Sequence, residues 1–318
     1  MRIAVLDDYF NKSLEFADWS PLEGRADVTV FTEYLGNEDN VVAALNEFEI
    51  IVGMRERTPF PRSTLEQLPN LKLLITTGGR NKSFDMDAAA ELGVTVCATG
   101  GVGSPTSELA WGLIIALMRD IPGQLQSMRD GGWQTKPGLN LSGKTLGIVG
   151  LGHLGSRAAK VGLAFDMNVI AWSQNLTDER AAEVGVTRVS KEDLFSTADV
   201  ITIHYGMSER SLGMIGEAEL AAMKESAFIV NTSRAPIIDQ DALYNALTSN
   251  SIAGAGLDVY MSEPLATDDR FRTLENVILT PHIGYVTVEN HEKHYTDIVE
   301  NIVKFLDGDP IRVLAQPA

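Results

Sequence analysis

The stretch that decides the fold is Thr145-Leu146-Gly147-Ile148-Val149-Gly150-Leu151-Gly152-His153-Leu154-Gly155. Its first five residues form a short apolar run typical of a buried β-strand, and an alanine-containing helical pattern follows the last glycine. Between strand and helix lies the pattern G-x-G-x-x-G, whose glycines permit a tight turn and a close approach to the backbone. Because the amide groups at the start of such a helix attract pyrophosphate, the stretch predicts a Rossmann unit that binds a dinucleotide.

Five residues of this loop are the predicted contacts of the dinucleotide: Gly150, Gly152, His153, Leu154 and Gly155. Alone, the six-residue pattern is weak, because a chain with 28 glycines can match it by chance or use it as a simple turn. The flanking strand and helix make the dinucleotide site the better interpretation. His153 occupies a variable position of the pattern, and we expect its side chain to face solvent.

The end of the following strand bears on which dinucleotide binds. An NAD site has an acidic residue about 20 positions after the first glycine, where it binds the ribose hydroxyls. This chain has Ser173 there, and Asp166 lies at the opposite end of the strand. With no fixed carboxylate to repel a 2'-phosphate, the sequence leans towards NADP(H) and leaves NAD open. The nearest following arginine, Arg180, would have to reach back from the next helix.

Short runs rich in valine and isoleucine alternate with helical patterns along the chain. The first half has predicted strands at residues 2–6, 49–52, 71–75 and 94–96, with helices predicted at 41–48 and 86–92. The second half has predicted strands at residues 145–149, 169–172, 200–203, 228–230, 256–259 and 277–280. Because strands joined by helices form parallel sheets, the sequence predicts an α/β protein with two doubly wound parallel-sheet domains.

The length of 318 residues also fits two domains. A long helix is predicted to begin at Ser104-Pro105, a capping serine followed by proline, and to run towards Arg119. This helix separates the two sets of strands, so we place a boundary near Gly100-Gly101 and expect the chain to return to the first domain after His282. The predicted domains are residues 1–100 with 285–318, and residues 101–284.

The composition excludes several classes of function. A formal charge of −17 repels phosphate backbones and acidic membranes, so neither nucleic acid nor a membrane is an expected partner. No apolar run approaches the length of a membrane span and the start does not resemble a signal peptide, so we expect a cytoplasmic protein. The only cysteine, Cys97, cannot form an internal disulfide and is predicted to be a buried strand thiol. No metal site is expected, because His291 and His294 lie in a polar helical pattern without matching carboxylates.

Three polar segments follow predicted strands of the second half, at the edge where parallel sheets bind ligands. They are Asn231-Thr232-Ser233-Arg234, Asp258-Val259-Tyr260-Met261-Ser262-Glu263-Pro264 and Thr280-Pro281-His282-Ile283-Gly284. Each charged side chain has an ordinary alternative: Arg234 as a surface ion pair, Glu263 as a turn carboxylate and His282 as a capped loop residue. The residues alone leave a joint active site and these separate roles open.

Together with the glycine loop, these segments resemble the D-isomer-specific 2-hydroxyacid dehydrogenase family in order and separation. The similarity extends to Thr77-Gly78-Gly79-Arg80-Asn81, Glu108 and Leu141-Ser142-Gly143-Lys144, and so covers nearly the whole chain. The resemblance implies a flavodoxin-like substrate domain (residues 1–100 with 285–318) and a Rossmann dinucleotide-binding domain (residues 101–284). It also implies reduction of a small 2-keto acid to a D-2-hydroxy acid, or the reverse, with a nicotinamide cofactor.

The resemblance assigns roles to the charged residues. Arg234 would bind the substrate carboxylate and polarise the carbonyl, His282 would be the acid/base, and Glu263 would pair with His282. These roles suit the chemistry, because an arginine fork matches a carboxylate and a histidine exchanges protons near neutral pH. Backbone amides at Gly78 and Gly79 would complete the grip on the carboxylate.

Further contacts are implied for the cofactor and for a second copy of the chain. Ser173, Thr232 and Asp258 would contact the dinucleotide, although Asp258 is equally well explained as a cap at the end of its strand. A homodimer is also implied, with the long helix after Ser104 and its Trp111 as the expected contact.

The chain departs from the family pattern beside the cofactor. It has His204-Tyr205-Gly206-Met207-Ser208 where the family usually has His-x-Pro-Leu-Thr, and Ala235 in place of a common glycine. One alternative is a dinucleotide-sensing binding protein of the same fold. Another is formate oxidation, which Glu263 disfavours because formate dehydrogenases of this superfamily have glutamine there. The particular acid is not fixed, and glyoxylate, hydroxypyruvate and larger 2-keto acids all remain open.

Overall fold

The computed structural model describes residues 1–317, which form two compact units. The first consists of Met1–Val102 together with the chain from Val286 onward, and the second is Gly103–Tyr285. The first break falls two residues after the boundary predicted from the sequence, and the second break falls one residue after it. The roles given to the two domains stay predictions at this point.

Strands and helices alternate along most of the chain. The strands are β1 (Arg2–Val5), β2 (Asp27–Val30), β3 (Ile50–Gly53), β4 (Leu73–Thr76), β5 (Thr95–Ala98), β6 (Thr145–Val149), β7 (Asn168–Trp172), β8 (Thr187–Arg188), β9 (Val200–Ile203), β10 (Phe228–Asn231), β11 (Gly254–Leu257), β12 (Val277–Leu279) and β13 (Val313–Ala315). The α-helices are α1 (Glu38–Leu45), α2 (Arg62–Leu65), α3 (Met86–Glu91), α4 (Pro105–Met118), α5 (Ile121–Arg129), α6 (His153–Ala164), α7 (Asp178–Val184), α8 (Lys191–Thr197), α9 (Glu217–Ala222), α10 (Gln240–Thr248) and α11 (Val288–Leu306). Short 3₁₀ helices lie at Ser20–Leu22, Glu209–Ser211, Ala235–Ile237 and Arg270–Thr273.

The first unit has a six-stranded sheet in the order β2-β1-β3-β4-β5-β13. Strands β1 to β5 are parallel in the 2-1-3-4-5 order of a flavodoxin-like domain, as the resemblance implies. These five strands confirm the predicted parallel sheet, to which β13 adds one antiparallel strand at the edge beside β5. Strands β3, β4 and β5 are buried throughout, because helices cover both faces of a doubly wound sheet. Cys97 lies buried in β5, as expected of a strand thiol.

Neither edge strand of the first sheet is predicted from the sequence. β2 is half exposed, and β13 has only three residues. An edge strand makes ladder hydrogen bonds on one side only and packs fewer side chains, so it needs no apolar run. The pattern that reveals the central strands is absent at the edges for this reason.

The second unit has a seven-stranded parallel sheet in the order β8-β7-β6-β9-β10-β11-β12. Counted from the strand before the glycine loop, this is the Rossmann order 3-2-1-4-5-6 with one further strand at the edge. The two-residue strand β8 is not predicted, and β11 begins at Gly254, two residues before its predicted start. A Cβ at Gly254 would lie 2.4 Å from the backbone oxygen of Asn276, so glycine stands where the apolar pattern calls for a larger residue.

The helix predicted from Ser104 is α4, and it belongs to the second unit. Ser104 occupies the N-cap position, although its side chain makes no capping hydrogen bond. Trp111 is 6% exposed and donates a hydrogen bond to the backbone oxygen of Ala158 in α6 at 3.1 Å. The side chain of Trp111 belongs to the core of its own unit, which disfavours it as the predicted dimer contact.

His291 and His294 lie on α11, where the sequence has a polar helical pattern. These two side chains are only 4% and 2% exposed, and Asn290, Asp297 and Asn301 are buried on the same helix. One face of α11 is thus both polar and buried. The sequence pattern does not show this burial, because it reports polarity alone.

Among residues 1–317, no group of three or more His, Cys, Asp or Glu side chains is arranged to hold a metal ion. None of the helices in this part of the chain has the length and apolar character that crossing a membrane requires.

Candidate active site

The glycine loop lies between β6 and α6, where the sequence predicts it. Gly150 has a φ of +97°, and a Cβ there would lie 2.6 Å from the backbone oxygen of His204. A Cβ on Gly155 would lie 2.0 Å from the backbone oxygen of Gly150. Gly152 is the N-cap of α6, and no other part of the described chain lies within 4 Å of a Cβ placed there. Two glycines are thus required by the fold, and the third leaves open space at the helix N-terminus.

This open space suits the pyrophosphate of a dinucleotide, because the first amides of α6 and the helix dipole attract negative charge. His153 and Leu154 form the first turn, and His153 is exposed, with its Nε2 3.2 Å from the backbone oxygen of Gly103. Thr232, after β10, has a buried Oγ1 with no hydrogen-bond partner among residues 1–317. A buried hydroxyl of this kind is normally satisfied by some partner. The residues present therefore fit a bound dinucleotide.

The end of β7 carries no carboxylate. Ser173 follows the strand directly and is partly buried. Arg180, on α7, does reach back to α6, where its Nη2 lies 3.2 Å from Oγ of Ser156. Its Nη1 donates to Glu183 at 2.7 Å. A positive charge is thus close to the helix that begins at the glycine loop.

His282 and Glu263 form a direct pair. Nδ1 of His282 lies 2.5 Å from Oε2 of Glu263, and the two side chains are 20% and 25% exposed. The other carboxylate oxygen of Glu263 accepts the backbone N–H of Tyr260 at 2.9 Å. Burial raises the pKa of Glu263, but the hydrogen bond and charge of His282 outweigh burial and lower it overall. The ionised carboxylate therefore orients the imidazole and leaves Nε2 of His282 for proton exchange.

Asp258 holds the backbone of the loop that carries His282. Its buried carboxylate accepts the amides of Ile283 and Gly284, each at 2.8 Å, and the hydroxyl of Thr280 at 2.6 Å. His282 has a φ of +53°, in the left-handed region that residues other than glycine rarely adopt. Burial raises the pKa of Asp258 in spite of these bonds. Both carboxylate oxygens are engaged by the protein itself, which favours the strand-end role over the predicted contact with the cofactor.

Arg234 lies in the loop after β10, and its Nη1 donates to the backbone oxygen of Ser233 at 2.8 Å. Asn231 fixes this loop, because its side-chain amide donates to the backbone oxygen of Arg234 at 3.0 Å and its Oδ1 accepts the amide of Ser233 at 3.0 Å. The charge of Arg234 also contributes to lowering the pKa of Glu263. Because β10, β11 and β12 are neighbours, the structure brings Arg234, Glu263 and His282 to one edge of the sheet.

The segment that departs from the family pattern lies against the glycine loop. The backbone of His204 and Tyr205 is what a Cβ at Gly150 would meet, and the ring of Tyr205 stacks on Trp172 with centroids 6.4 Å apart. Nε2 of His204 lies 3.1 Å from Oγ1 of Thr202, and burial lowers the pKa of His204 to about 4. The residues that differ from the family pattern therefore pack against the glycine loop, so the difference bears on cofactor binding.

In the first unit, the predicted substrate loop follows β4. Gly78 has a φ of +81°, and a Cβ there would lie 1.8 Å from Nη1 of Arg55, so a larger residue does not fit. Its amide donates to Oγ1 of Thr99 at 2.8 Å, which disfavours the predicted contact of this amide with the substrate. The amide of Gly79 has no acceptor among residues 1–317, and Gly79 is exposed. Of Gly78 and Gly79, it is therefore Gly79 whose backbone amide is available to donate a hydrogen bond to a carboxylate.

Arg55 is a further candidate residue of the predicted substrate loop, and it was not predicted from the sequence. It follows β3 with a φ of +56°, and its amide donates to Oγ1 of Thr77 at 2.9 Å. Its backbone oxygen accepts a hydrogen bond from the side-chain amide of Asn81 at 2.7 Å. Its guanidinium lies against Gly78, in the space that a Cβ at this position would occupy. The signal was present, because Met54-Arg55-Glu56-Arg57 is a polar segment after an apolar run, like the three segments of the second half.

Comparison with known proteins identifies the family. The family model described as "D-isomer specific 2-hydroxyacid dehydrogenase, NAD binding domain" matches residues 111–284. This match includes the glycine loop, Arg234, Glu263 and His282. The chain belongs to the D-isomer-specific 2-hydroxyacid dehydrogenase family, which confirms the resemblance found in the motifs.

Individual relatives are similar over nearly the whole chain. D-3-phosphoglycerate dehydrogenase from Archaeoglobus fulgidus is 35% identical over 98% of this chain, which spans 58% of that relative's length. Hydroxypyruvate reductase from Thermotoga maritima is 34% identical over 90% of this chain and 93% of the relative. Among solved structures, phosphoglycerate oxidoreductase from Vibrio cholerae o395 has a TM-score of 0.92 and 35% identity, with 97% of this chain and 99% of that chain covered.

Proposed function

We propose that the chain is an oxidoreductase that reduces a small 2-keto acid to the D-2-hydroxy acid, or catalyses the reverse, with a nicotinamide cofactor. The observation that carries this proposal is the hydrogen bond between Nδ1 of His282 and Oε2 of Glu263, which leaves Nε2 for proton exchange. Arg234 lies at the same edge of the sheet. Membership of the family supports the proposal, and the relatives described above carry the names of a dehydrogenase, a hydroxypyruvate reductase and an oxidoreductase.

Each residue of this group has a task in the proposed reaction. When bound at the glycine loop, a nicotinamide dinucleotide would supply hydride to the carbonyl carbon, or would accept it in the reverse direction. Negative charge then develops on the carbonyl oxygen, where the guanidinium of Arg234 stabilises it. His282 donates the proton at Nε2 to that oxygen. Glu263 favours the charged imidazole and fixes its orientation, so that the proton is available when the charge develops.

Asp258 is a positioning residue in this proposal. A left-handed backbone at His282 costs free energy and persists only where the surroundings hold it. The hydrogen bonds from Asp258 to the amides of Ile283 and Gly284 supply that hold. These hydrogen bonds fix the backbone position of His282, while Glu263 fixes the orientation of its imidazole ring.

For the carboxylate of the substrate we assign Arg234 and the amide of Gly79. The planar fork of arginine matches the two oxygens of a carboxylate. The amide of Gly79 is a backbone donor in an exposed loop, and the guanidinium of Arg55 beside Gly78 adds positive charge there. An anionic substrate is therefore favoured at this loop.

We also propose NADP(H) as the preferred dinucleotide. Ser173 stands where an NAD site usually has a carboxylate, so a 2'-phosphate meets no fixed negative charge at that position. Arg180 reaches Ser156 on α6, and its guanidinium has five donors, of which the ion pair with Glu183 uses only part. Arginine is the side chain best suited to pair with a phosphate.

The test is the initial rate of NADH and of NADPH oxidation with a panel of 2-keto acids that includes glyoxylate and hydroxypyruvate. We expect turnover of at least one acid, and a higher kcat/KM for NADPH than for NADH. Arg180→Ala should lower this preference about tenfold. Arg270→Ala, which removes an exposed arginine paired with Asp241, should leave it unchanged. Tight dinucleotide binding without turnover of any acid would overturn the proposal in favour of a dinucleotide-sensing protein.

We further propose that two copies of the chain form a dimer through α5 and the segment that follows it. α5 buries none of its side chains within the described chain, and Trp133 is 71% exposed. The exposed apolar side chains of this region are Ile121, Leu125, Met128, Trp133 and Leu139. An apolar surface of this kind indicates association, and two-fold dimers are the commonest assembly.

Sedimentation at micromolar concentration should therefore give twice the mass of one chain. Leu125→Glu is expected to shift the protein to monomer, because it places a charge in the apolar contact. Leu92→Glu, at an exposed leucine of the first unit, is the matched control and should remain dimeric. A monomer for the unaltered chain would contradict the dimer.

A further inference from the structure

Buried side chains in the first unit connect the substrate loop with α11. Thr99 follows β5 directly, and its buried hydroxyl contacts three groups. It accepts the amide N–H of Gly78 at 2.8 Å and donates to the backbone oxygen of Gly100 at 2.9 Å. The third contact is Nδ1 of His294, also at 2.8 Å.

The hydrogen-bond pattern decides which nitrogen of His294 carries the hydrogen. A hydroxyl has one hydrogen, which Thr99 gives to Gly100, so Nδ1 of His294 must donate to it. On the other side of the ring, Nε2 lies 3.0 Å from Nδ2 of Asn290. The orientation of that amide is itself fixed, because Oδ1 of Asn290 accepts the N–H of Val102 at 2.8 Å. Nε2 must therefore accept, and the imidazole is neutral with its hydrogen on Nδ1.

A charged His294 does not fit these partners. Its Nε2–H would point at the side-chain N–H groups of Asn290, and turning that amide would direct them at the N–H of Val102. Burial lowers the pKa of His294 to about 4, assisted by the positive charges of Arg55 and His291, while Asp297 acts in the opposite direction. The neutral ring is thus the form present around neutral pH.

The same face of α11 holds the whole segment that follows β5. Four buried side chains recur every three or four residues and so lie on one stripe of the helix: Asn290, His294, Asp297 and Asn301. Beyond the contacts of Asn290 and His294, the amide of Gly100 donates to Oδ2 of Asp297 at 2.8 Å. The side-chain amide of Asn301 donates to the backbone oxygen of Ala98 at 2.8 Å. Three members of the stripe therefore hold the backbone at residues 98, 100 and 102, and His294 holds the side chain of Thr99 between them.

We propose that His294 is a positioning residue for substrate binding, which acts through Thr99 to fix the Gly78 amide and so presents the neighbouring Gly79 amide to the substrate. The inference rests on the proposed function, because it takes Gly79 as a donor to the substrate carboxylate. His294 contacts neither substrate nor cofactor in this role and transfers no proton. A loop that is held before binding loses less entropy when the acid binds, so the network lowers KM and leaves kcat nearly unchanged.

Thr99→Val and Thr99→Ser form a matched pair that tests the proposal. Valine keeps the shape of the side chain but removes the hydroxyl, whereas serine keeps all three hydrogen bonds. We expect Thr99→Val to raise KM for the keto acid about tenfold, with kcat and the KM for the dinucleotide little changed. Thr99→Ser should behave like the unaltered enzyme. An unchanged KM in Thr99→Val, or the same rise in both variants, would overturn the proposal.

The histidine is tested in the same way. Asparagine can place a donor near the position of Nδ1, so His294→Asn should raise KM less than His294→Leu, which removes both polar contacts. Loss of kcat in place of a rise in KM would show that the residue does not act through substrate binding.

Two measurements on the network do not depend on turnover. The ¹⁵N spectrum of the imidazole should show a neutral ring with hydrogen on Nδ1 throughout pH 6–8, and hydrogen exchange at Gly78 should be faster in Thr99→Val than in Thr99→Ser. A hydrogen on Nε2, or equal exchange in the two variants, would overturn the network itself. Normal spectra with no effect on KM would overturn its role in binding. Absence of any turnover by the unaltered chain would instead overturn the proposed function, and the role in binding with it.

Discussion

Replacing His282 with asparagine is expected to lower kcat for keto-acid reduction by about 10²–10⁴-fold, the range that general acid catalysis contributes. Asparagine is a suitable replacement because it tolerates the left-handed backbone at this position, where φ is +53°, better than alanine does. Its side chain can still bond to Glu263, but it has no proton to give to the carbonyl oxygen. The KM for the dinucleotide should change little, because the glycine loop and Thr232 lie on other segments of the unit. Steady-state rates and single-turnover rates together measure the effect.

Glu263→Gln tests separately the two effects of Glu263 on His282, which are the orientation of the imidazole and the negative charge beside it. Glutamine keeps a hydrogen bond to Nδ1 of His282, but it removes the negative charge that favours the protonated imidazole. In the unaltered enzyme the pKa of Glu263 is lowered, and its charge is lost only as the pH falls through that pKa. Glu263→Gln has no such charge to lose, so the loss of activity at acid pH that depends on Glu263 should be absent from its pH profile. Glu275→Gln, at an exposed glutamate, is the matched control and should leave the pH profile in place. An unchanged profile in Glu263→Gln would contradict the electrostatic role of the carboxylate.

The parts of the fold that could be predicted from the sequence are those whose signal is local in the chain. The strand, the glycine loop and the helix are contiguous at residues 145–164, and each central strand shows its own apolar run. The segments that contain Arg234, Glu263 and His282 are also local, since each lies at the end of a strand. Their meeting at one edge follows from the rule that parallel strands end at the same side of a sheet.

The parts that could not be predicted depend on partners distant in the sequence. The amide of Gly78 was expected to bind substrate, but Thr99, which lies 21 residues further along the chain, accepts it. His294 contacts the same threonine over a separation of 195 residues. No periodicity within α11 reveals that its polar side chains have buried partners, because hydropathy patterns treat a polar residue as exposed. The two edge strands of the first sheet were missed for a related reason, since their pairing depends on neighbours and not on their own composition.

Arg234→Lys is expected to lower kcat/KM for the keto acid by about 10²–10³-fold, as loss of a donor to a developing oxyanion typically does. Lysine keeps the positive charge but cannot form two parallel hydrogen bonds with a carboxylate. Both KM and kcat should change, because the proposed contacts of the guanidinium include the carboxylate in the ground state and the carbonyl oxygen in the transition state. Arg62→Lys, at an exposed arginine paired with Glu91, is the control and should leave both values unchanged.

Added guanidinium ion shows whether Arg234→Ala loses activity because the side chain is missing or because the loop after β10 has changed shape. In Arg234→Ala the ion can occupy the vacated space, so activity should rise with its concentration if the loop still has its shape. That shape is expected to survive, because Asn231 bonds to the backbone of residue 234 and not to its side chain. In Arg234→Lys the ammonium group fills part of the same space, so the ion should restore little. Near-normal activity of Arg234→Lys would show that only the charge matters and would contradict the bidentate contact, whereas failure of the ion to restore Arg234→Ala would place the defect in the loop.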